Sequence, residues 1–143
     1  MERRFDEFSY RCGVIDSFCE MVAAGNKPLA LSHPFRDEAD RARYLPHCRA
    51  MAEQYGILFR EEDALPVTPL FPRAAVDGVK VVLFAEDGEV WRRYQAVKDL
   101  ADPEEAAWAF GRLLGYSEAA IRRKIEANRG EFPAILWITY KKS

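Results

Sequence analysis

Apolar side chains near the start of the chain recur at helical spacing. Phe5, Phe8, Cys12, Ile15, Cys19 and Val22 step by three and four, the stripe of a helix lying on a core. The pattern predicts a helix over residues 3–24, stopped at Gly25-Asn26 with Pro28 just beyond. Gly13 weakens it by about 1 kcal/mol relative to alanine and suggests a close approach by another backbone. Leu29-Ala30-Leu31-Ser32 reads as a short strand. Residues 37–55 read as a second helix, kinked or divided at Pro46, with Asp37, Glu38 and Asp40 in the first turn where the helix dipole favours them. Gly56 ends it, and Ile57-Leu58-Phe59 forms the next strand. Strand, helix and strand in that order predict a βαβ unit.

Periodicity then lapses. Pro66, Pro69 and Pro72 leave residues 61–78 few backbone donors, so this segment is expected to be a long loop or arm. Residues 79–84 make the clearest strand so far, centred on Val81-Val82 and followed by an Asp87-Gly88 turn. Residues 89–100 fit two templates. Val90, Trp91, Tyr94, Val97 and Leu100 form a helical stripe, whereas Val90-Trp91 can also return across the turn as a hairpin; the reading favoured here is a hairpin start passing into irregular chain. Asp102-Pro103-Glu104-Glu105 is a strong helix start, for a helix running to Leu114. Ser117 caps another, through Ile121 and Ile125 to Asn128. Residues 134–140, with Ile135-Leu136-Trp137-Ile138 unbroken, read as a central strand carrying Trp137 in the core. The fold class expected is α/β (or α+β): one domain over residues 1–143, with a small mixed sheet of about four strands flanked by four to five helices.

Composition narrows the function classes. The chain has 143 residues, 49% of them hydrophobic and 31% charged, an ordinary globular composition at single-domain length. Twenty-one basic residues against 23 acidic ones leave a net charge of -2, which gives no bulk electrostatic reason to bind nucleic acid or a membrane surface. No apolar run approaches the roughly 20 residues of a membrane span, and no secretory signal is read at the start of the chain. Cys12, Cys19 and Cys48 are odd in number, which argues for free thiols, a reducing compartment and a cytoplasmic location. Cys12, Cys19, His33, His47 and Cys48 lack the paired spacing of a zinc site, so neither a metal nor a cofactor is expected.

Two segments attract chemistry. Ser32-His33-Pro34-Phe35-Arg36-Asp37 joins a strand to a helix. That strand is expected to be parallel, so the loop lies where open α/β sheets bind ligands, beside the free N–H groups of a helix start. Ser32, His33 and Arg36 are therefore the candidate ligand-binding residues: Arg36 can grip a carboxylate or phosphate, and His33 would be the acid/base if the protein were a small enzyme acting on an anionic molecule. The second segment is the proline-rich arm. Leu65, Val67, Leu70 and Phe71 load it with apolar surface, either a lid packed on the domain or the interface of a homodimer. The Leu114-Gly115-Tyr116-Ser117 joint resembles the first loop and second helix of ubiquitin-associated domains, with Leu114 in place of the usual methionine; this implies at most a helix-pair interaction adaptor and no family membership. Arg122, Arg123, Lys124 and Arg129 are interleaved with Glu118, Glu126 and Glu131, the composition of a solvated face. The working expectation is a cytoplasmic, self-associating binding or regulatory module of no evident enzymatic class.

Overall fold

The computed structural model describes residues 5–132. The chain runs through α1 (Glu7–Ala23), β1 (Leu29–Leu31), α2 (Glu38–Tyr55), β2 (Leu58–Glu62), α3 (Arg73–Val76), β3 (Val81–Ala85), α4 (Gly88–Asp99), α5 (Pro103–Leu113) and α6 (Glu118–Asn128), ending in a single 3-10 turn, Arg129–Glu131. It is a small mixed domain of six α-helices and one three-stranded antiparallel sheet among the described residues, one strand fewer and one helix more than expected. The strand expected at residues 134–140, and Trp137 with it, lies outside the described residues.

The sheet order is β1-β3-β2. β3 pairs antiparallel with both neighbours, Leu29 to Ala85 through Leu31 to Leu83 on one side, and Leu58 to Ala85 through Glu62 to Val81 on the other. The expected βαβ unit is thereby corrected. β1 and β2 run the same way, but β3 is inserted between them, so they share no hydrogen bonds. The rule that places ligands beyond the carboxyl ends of parallel strands does not apply to this sheet.

All five residues of β3 are buried. Alternation sends successive side chains to opposite faces, and each face has its own core. Val82 and Phe84, with Ala30 of β1, meet Ile15, Cys19 and Val22 of α1 and Tyr44, Cys48 and Ala52 of α2. Val81, Leu83 and Ala85, with Leu29, meet Leu65, Leu70, Val76, Val90, Tyr94, Val97, Phe110, Ile121 and Ile125. α1 and α2 therefore cover one face, and the arm with α3 to α6 covers the other. The α1 stripe is buried only from Ile15 onward; Phe5 and Phe8 overhang into solvent.

Residues 88–99 are helical, which corrects the hairpin expected there. Asp87 decides the matter: its Oδ1 accepts from the N–H groups of Glu89 and Val90, an N-cap, and Val90, Tyr94 and Val97 are the buried stripe. α2 passes uninterrupted through Pro46 and stops at Gly56, whose φ of 68° suits only glycine without strain. Gly13 faces open space, whereas a Cβ on Gly111 would sit 2.6 Å from Ile121 Cγ1. Gly111 is thus what lets α5 and α6 pack closely.

A buried cation ties α2 to the sheet. Arg41 is 2% exposed. It pairs with Glu38 at 2.7 Å and Asp63 at 2.7 Å, lies 3.1 Å from Glu61, and donates to the carbonyls of Glu62 at 3.3 Å and Val81 at 3.1 Å. Buried charge is tolerated only with such compensation. On the opposite face Glu62, at the end of β2, accepts from Tyr94 Oη at 2.7 Å, Lys98 Nζ at 2.8 Å and the Ala64 N–H at 2.9 Å.

Phe84 is fully buried between α1 and α2. Truncation to alanine is expected to cost about 3–5 kcal/mol, read as a lower midpoint in urea at unchanged slope. A Phe84→Ala variant with wild-type stability would show that this face is not a core.

Candidate functional site

The loop after β1 is held by its own polar groups. Ser32 is buried; its hydroxyl accepts from the Val82 N–H at 2.9 Å and donates to the His33 carbonyl at 2.9 Å. The Phe35 N–H donates to the Lys80 carbonyl at 2.8 Å. Asp37 caps α2, accepting from the Asp40 N–H at 2.8 Å. The helix start is therefore closed by a carboxylate of the same chain. The three residues expected to act together are separated: Ser32 turns into the sheet, His33 lies among aromatic rings, and Arg36 reaches solvent.

His33 stands edge-on to Phe35, ring centroids 4.4 Å apart, and to Tyr44 at 5.6 Å. Both ring nitrogens are shut off from solvent and find no hydrogen-bond partner among the described residues. Burial, helped by the charge of Arg11, pushes the imidazole down to about 4. At neutral pH this ring holds one proton and neither gives it up nor takes another. It is ill placed as a general acid or base, which must reach the proton it transfers.

Arg36 belongs to a cleft on the other side of Tyr44. Phe5, Asp6, Glu7 and Phe8 at the start of α1, with Arg36, Arg43 and Tyr44 at the start of α2, enclose about 550 Å³. Its acids are committed elsewhere: Asp6 caps α1 through the Ser9 N–H and accepts from the Ser9 hydroxyl at 2.8 Å, and Glu7 pairs with Arg11 at 2.9 Å. Phe8 stacks on Tyr44 with centroids 4.9 Å apart. The Arg43 guanidinium lies over both rings, 5.4 Å from Phe8 and 6.0 Å from Tyr44. Arg43 has no carboxylate within 4.0 Å among the described residues, and Arg36 has only a 3.6 Å approach to Asp40. The sequence reading missed Phe8, Arg43 and Tyr44. The available signal was spacing: Arg36, Asp40, Arg43 and Tyr44 recur every three or four residues, on one face of a helix start.

The arm packs on its own chain. Leu65 and Leu70 are buried in the core beneath α4 to α6, and Val67 and Phe71 are partly buried against it. Phe71 lies 6.1 Å from Phe110 and 6.4 Å from Tyr116, centroid to centroid. The joint between α5 and α6 is also engaged: a Cβ on Gly115 would meet Lys27 Cβ at 2.8 Å, and Lys124 Nζ sits 4.9 Å above the Tyr116 ring. Three of the four basic residues of α6 and the turn after it are used internally: Lys124, Arg122 over Trp108, and Arg129 against Glu104. Cys19 and Cys48 are free thiols in the α1–α2 core, both pushed up to about 12 by burial, hence unreactive as thiolates. His47 pairs with Asp16 at 2.6 Å, bridging α2 to α1. Among the described residues no group of three or more His, Cys, Asp or Glu could hold a metal ion, and no helix is long and apolar enough to cross a membrane.

The state of His33 predicts a pH dependence. Its pKa is about 4 in the folded chain against an ordinary 6.5. Above pH 6.5 both folded and unfolded forms are neutral there. Between pH 6.5 and 4 the unfolded chain takes a proton that the native ring refuses, so stability falls as pH falls through this window. His33→Phe should remove that part of the loss, measured as the difference between the two urea midpoints from pH 7.5 to 4.5. Parallel curves for the two proteins would show that His33 titrates normally.

No protein-family model matches this chain, and no curated protein or solved structure matches it significantly.

Proposed function

We propose that this protein is a binding module rather than a catalyst, and that the cleft between the starts of α1 and α2 holds a small anionic ligand carrying a planar group. One observation supports this above the others: Arg43 lies over Phe8 and Tyr44 in a cleft shared with Arg36, with no carboxylate within 4.0 Å of its guanidinium among the described residues. Guanidinium groups suit carboxylate and phosphate oxygens. The exposed Phe8 ring, stacked on the buried Tyr44, offers an apolar surface to a planar group. Binding is favoured over turnover because His33 is closed off outside the cleft and the two carboxylates that line it are engaged, Asp6 with Ser9 and Glu7 with Arg11.

Phenyl phosphate and inorganic phosphate test this reading. Phenyl phosphate is expected to bind more tightly, by about tenfold, a single aromatic contact of about 1.4 kcal/mol. Amide shifts should centre on residues 5–8, 36 and 43–44. Arg43→Ala should weaken both ligands by about tenfold or more, the loss of one charged hydrogen bond, while the melting temperature stays near wild type because Arg43 is exposed. Absence of binding to either compound at millimolar concentration, or an unchanged affinity in Arg43→Ala, would overturn the assignment.

A further inference from the structure

The other face of the sheet carries a second cavity that this cleft does not use. It encloses about 330 Å³ between the proline-rich arm and the α4–α5 corner, lined by Leu65, Val67, Val97 and Leu100 with two polar residues, Thr68 and Lys98. We propose that it is a binding site for a small apolar monocarboxylate, with Lys98 and Thr68 holding the head group.

The argument starts from hydrogen-bonding capacity. The Lys98 ammonium has three N–H donors, and one goes to Glu62 Oε2 at 2.8 Å. No other acceptor takes its remaining donors among the described residues. The Glu62 carboxylate already receives bonds from Tyr94, Lys98 and Ala64, so it is satisfied without drawing further on the ammonium. Thr68 is 2% exposed. Its oxygen accepts from the Leu70 N–H at 3.2 Å, while its hydroxyl proton has no acceptor among the described residues. A buried hydroxyl whose proton has no acceptor among the described residues, lining the same cavity as an ammonium with donors to spare, leaves room for an acceptor oxygen. The remaining wall is aliphatic. A largely apolar cavity with a few polar groups is the usual form of a small-molecule site; here the Lys98 ammonium can only donate, and the Thr68 oxygen already accepts from Leu70, leaving its proton to donate. That selects a carboxylate head over an amine and an aliphatic body over a sugar or nucleotide. The arm explains its own composition in this arrangement: prolines at 66 and 69 hold an extended segment without ladder bonds, leaving Leu65 and Val67 to form one wall.

Octanoate, with octylamine as the chain-matched cation, provides the test. The full-length protein is titrated with each, followed by amide shifts. Octanoate is expected to bind, with shifts confined to residues 64–68 and 97–106, and octylamine is expected to bind at least about tenfold more weakly, the worth of one charged hydrogen bond. Lys98→Met should weaken octanoate about tenfold, and Lys98→Arg should restore most of it. If Lys98→Met fails to fold because Glu62 loses its cation, Leu100→Asp serves instead. Leu100 is an exposed residue on the cavity wall, and an acid there should repel octanoate while leaving the fold intact. Equal binding of octanoate and octylamine, shifts centred on the Arg36–Arg43 cleft, or undiminished octanoate binding in Leu100→Asp would each overturn the proposal. Each of these outcomes leaves phenyl phosphate binding at the α1–α2 cleft standing; shifts centred there would assign octanoate to that cleft as a second anion.

Discussion

Everything else in the domain hangs on β3 being covered on both faces. Its five residues are all buried, and their alternation divides the molecule. Val82 and Phe84 require α1 and α2, while Val81 and Leu83 require α4, α5, α6 and the arm. Continuous apolar strands are the mark of parallel sheets in α/β proteins because helices cover both sides. Here the same cover is achieved around an antiparallel sheet. A sheet this small needs a hydrophobic face packed against other elements, and here helices supply that cover on both sides.

That arrangement also decides where polar groups can sit. The ends of β2 and β3 must meet helices that cross them, and two buried charged residues mediate the junctions. Arg41 draws acids and carbonyls from α2, β2 and β3 on one side, and Glu62 collects Tyr94, Lys98 and Ala64 on the other. Arg41 is buried against acids that themselves stay solvent-exposed, while Glu62 is buried with Tyr94 and a largely covered Lys98; in both cases the pairing limits the desolvation cost. His33 is the exception, a polar ring held among Phe35 and Tyr44 without a hydrogen bond among the described residues. Its neutrality follows from that enclosure. Beyond Tyr44, the overhanging start of α1 leaves Phe8 outside the core, where with Arg43 it shapes a cleft instead of filling one.

Local signals carried much of the fold. Asp102-Pro103 and Ser117 start helices where side-chain capping alone favours them, Gly56 ends one where a left-handed residue is needed, and Val81-Val82 marks the strand on which both cores meet. Each depends on neighbours within a few residues, and so was present in the sequence as such. The error at residues 88–99 is instructive. Asp87-Gly88 is both a turn dipeptide and a helix cap with its first residue, and the stripe of Val90, Tyr94 and Val97 becomes decisive only once Leu83 and Phe110 supply a surface for it to cover.

Strand order and the sites were settled by tertiary structure. Sequence order predicts β1 beside β2, because nothing local records that a strand some 20 residues later will insert between them. Arg36 could be picked out as an anion-binding residue from its type and position, but its companions could not. Phe8 and Arg43 meet only because α1 packs against α2, and Lys98 and Thr68 share a cavity only because the arm folds back on α4 and α5. The sequence by itself determined most of the segments that become helices and strands, residues 88–99 and the short α3 apart, since caps, glycines and periodicity act over one or two turns. Only the tertiary structure decided which side chains face one another across them, because those distances are set by burying two separate apolar surfaces on a single strand.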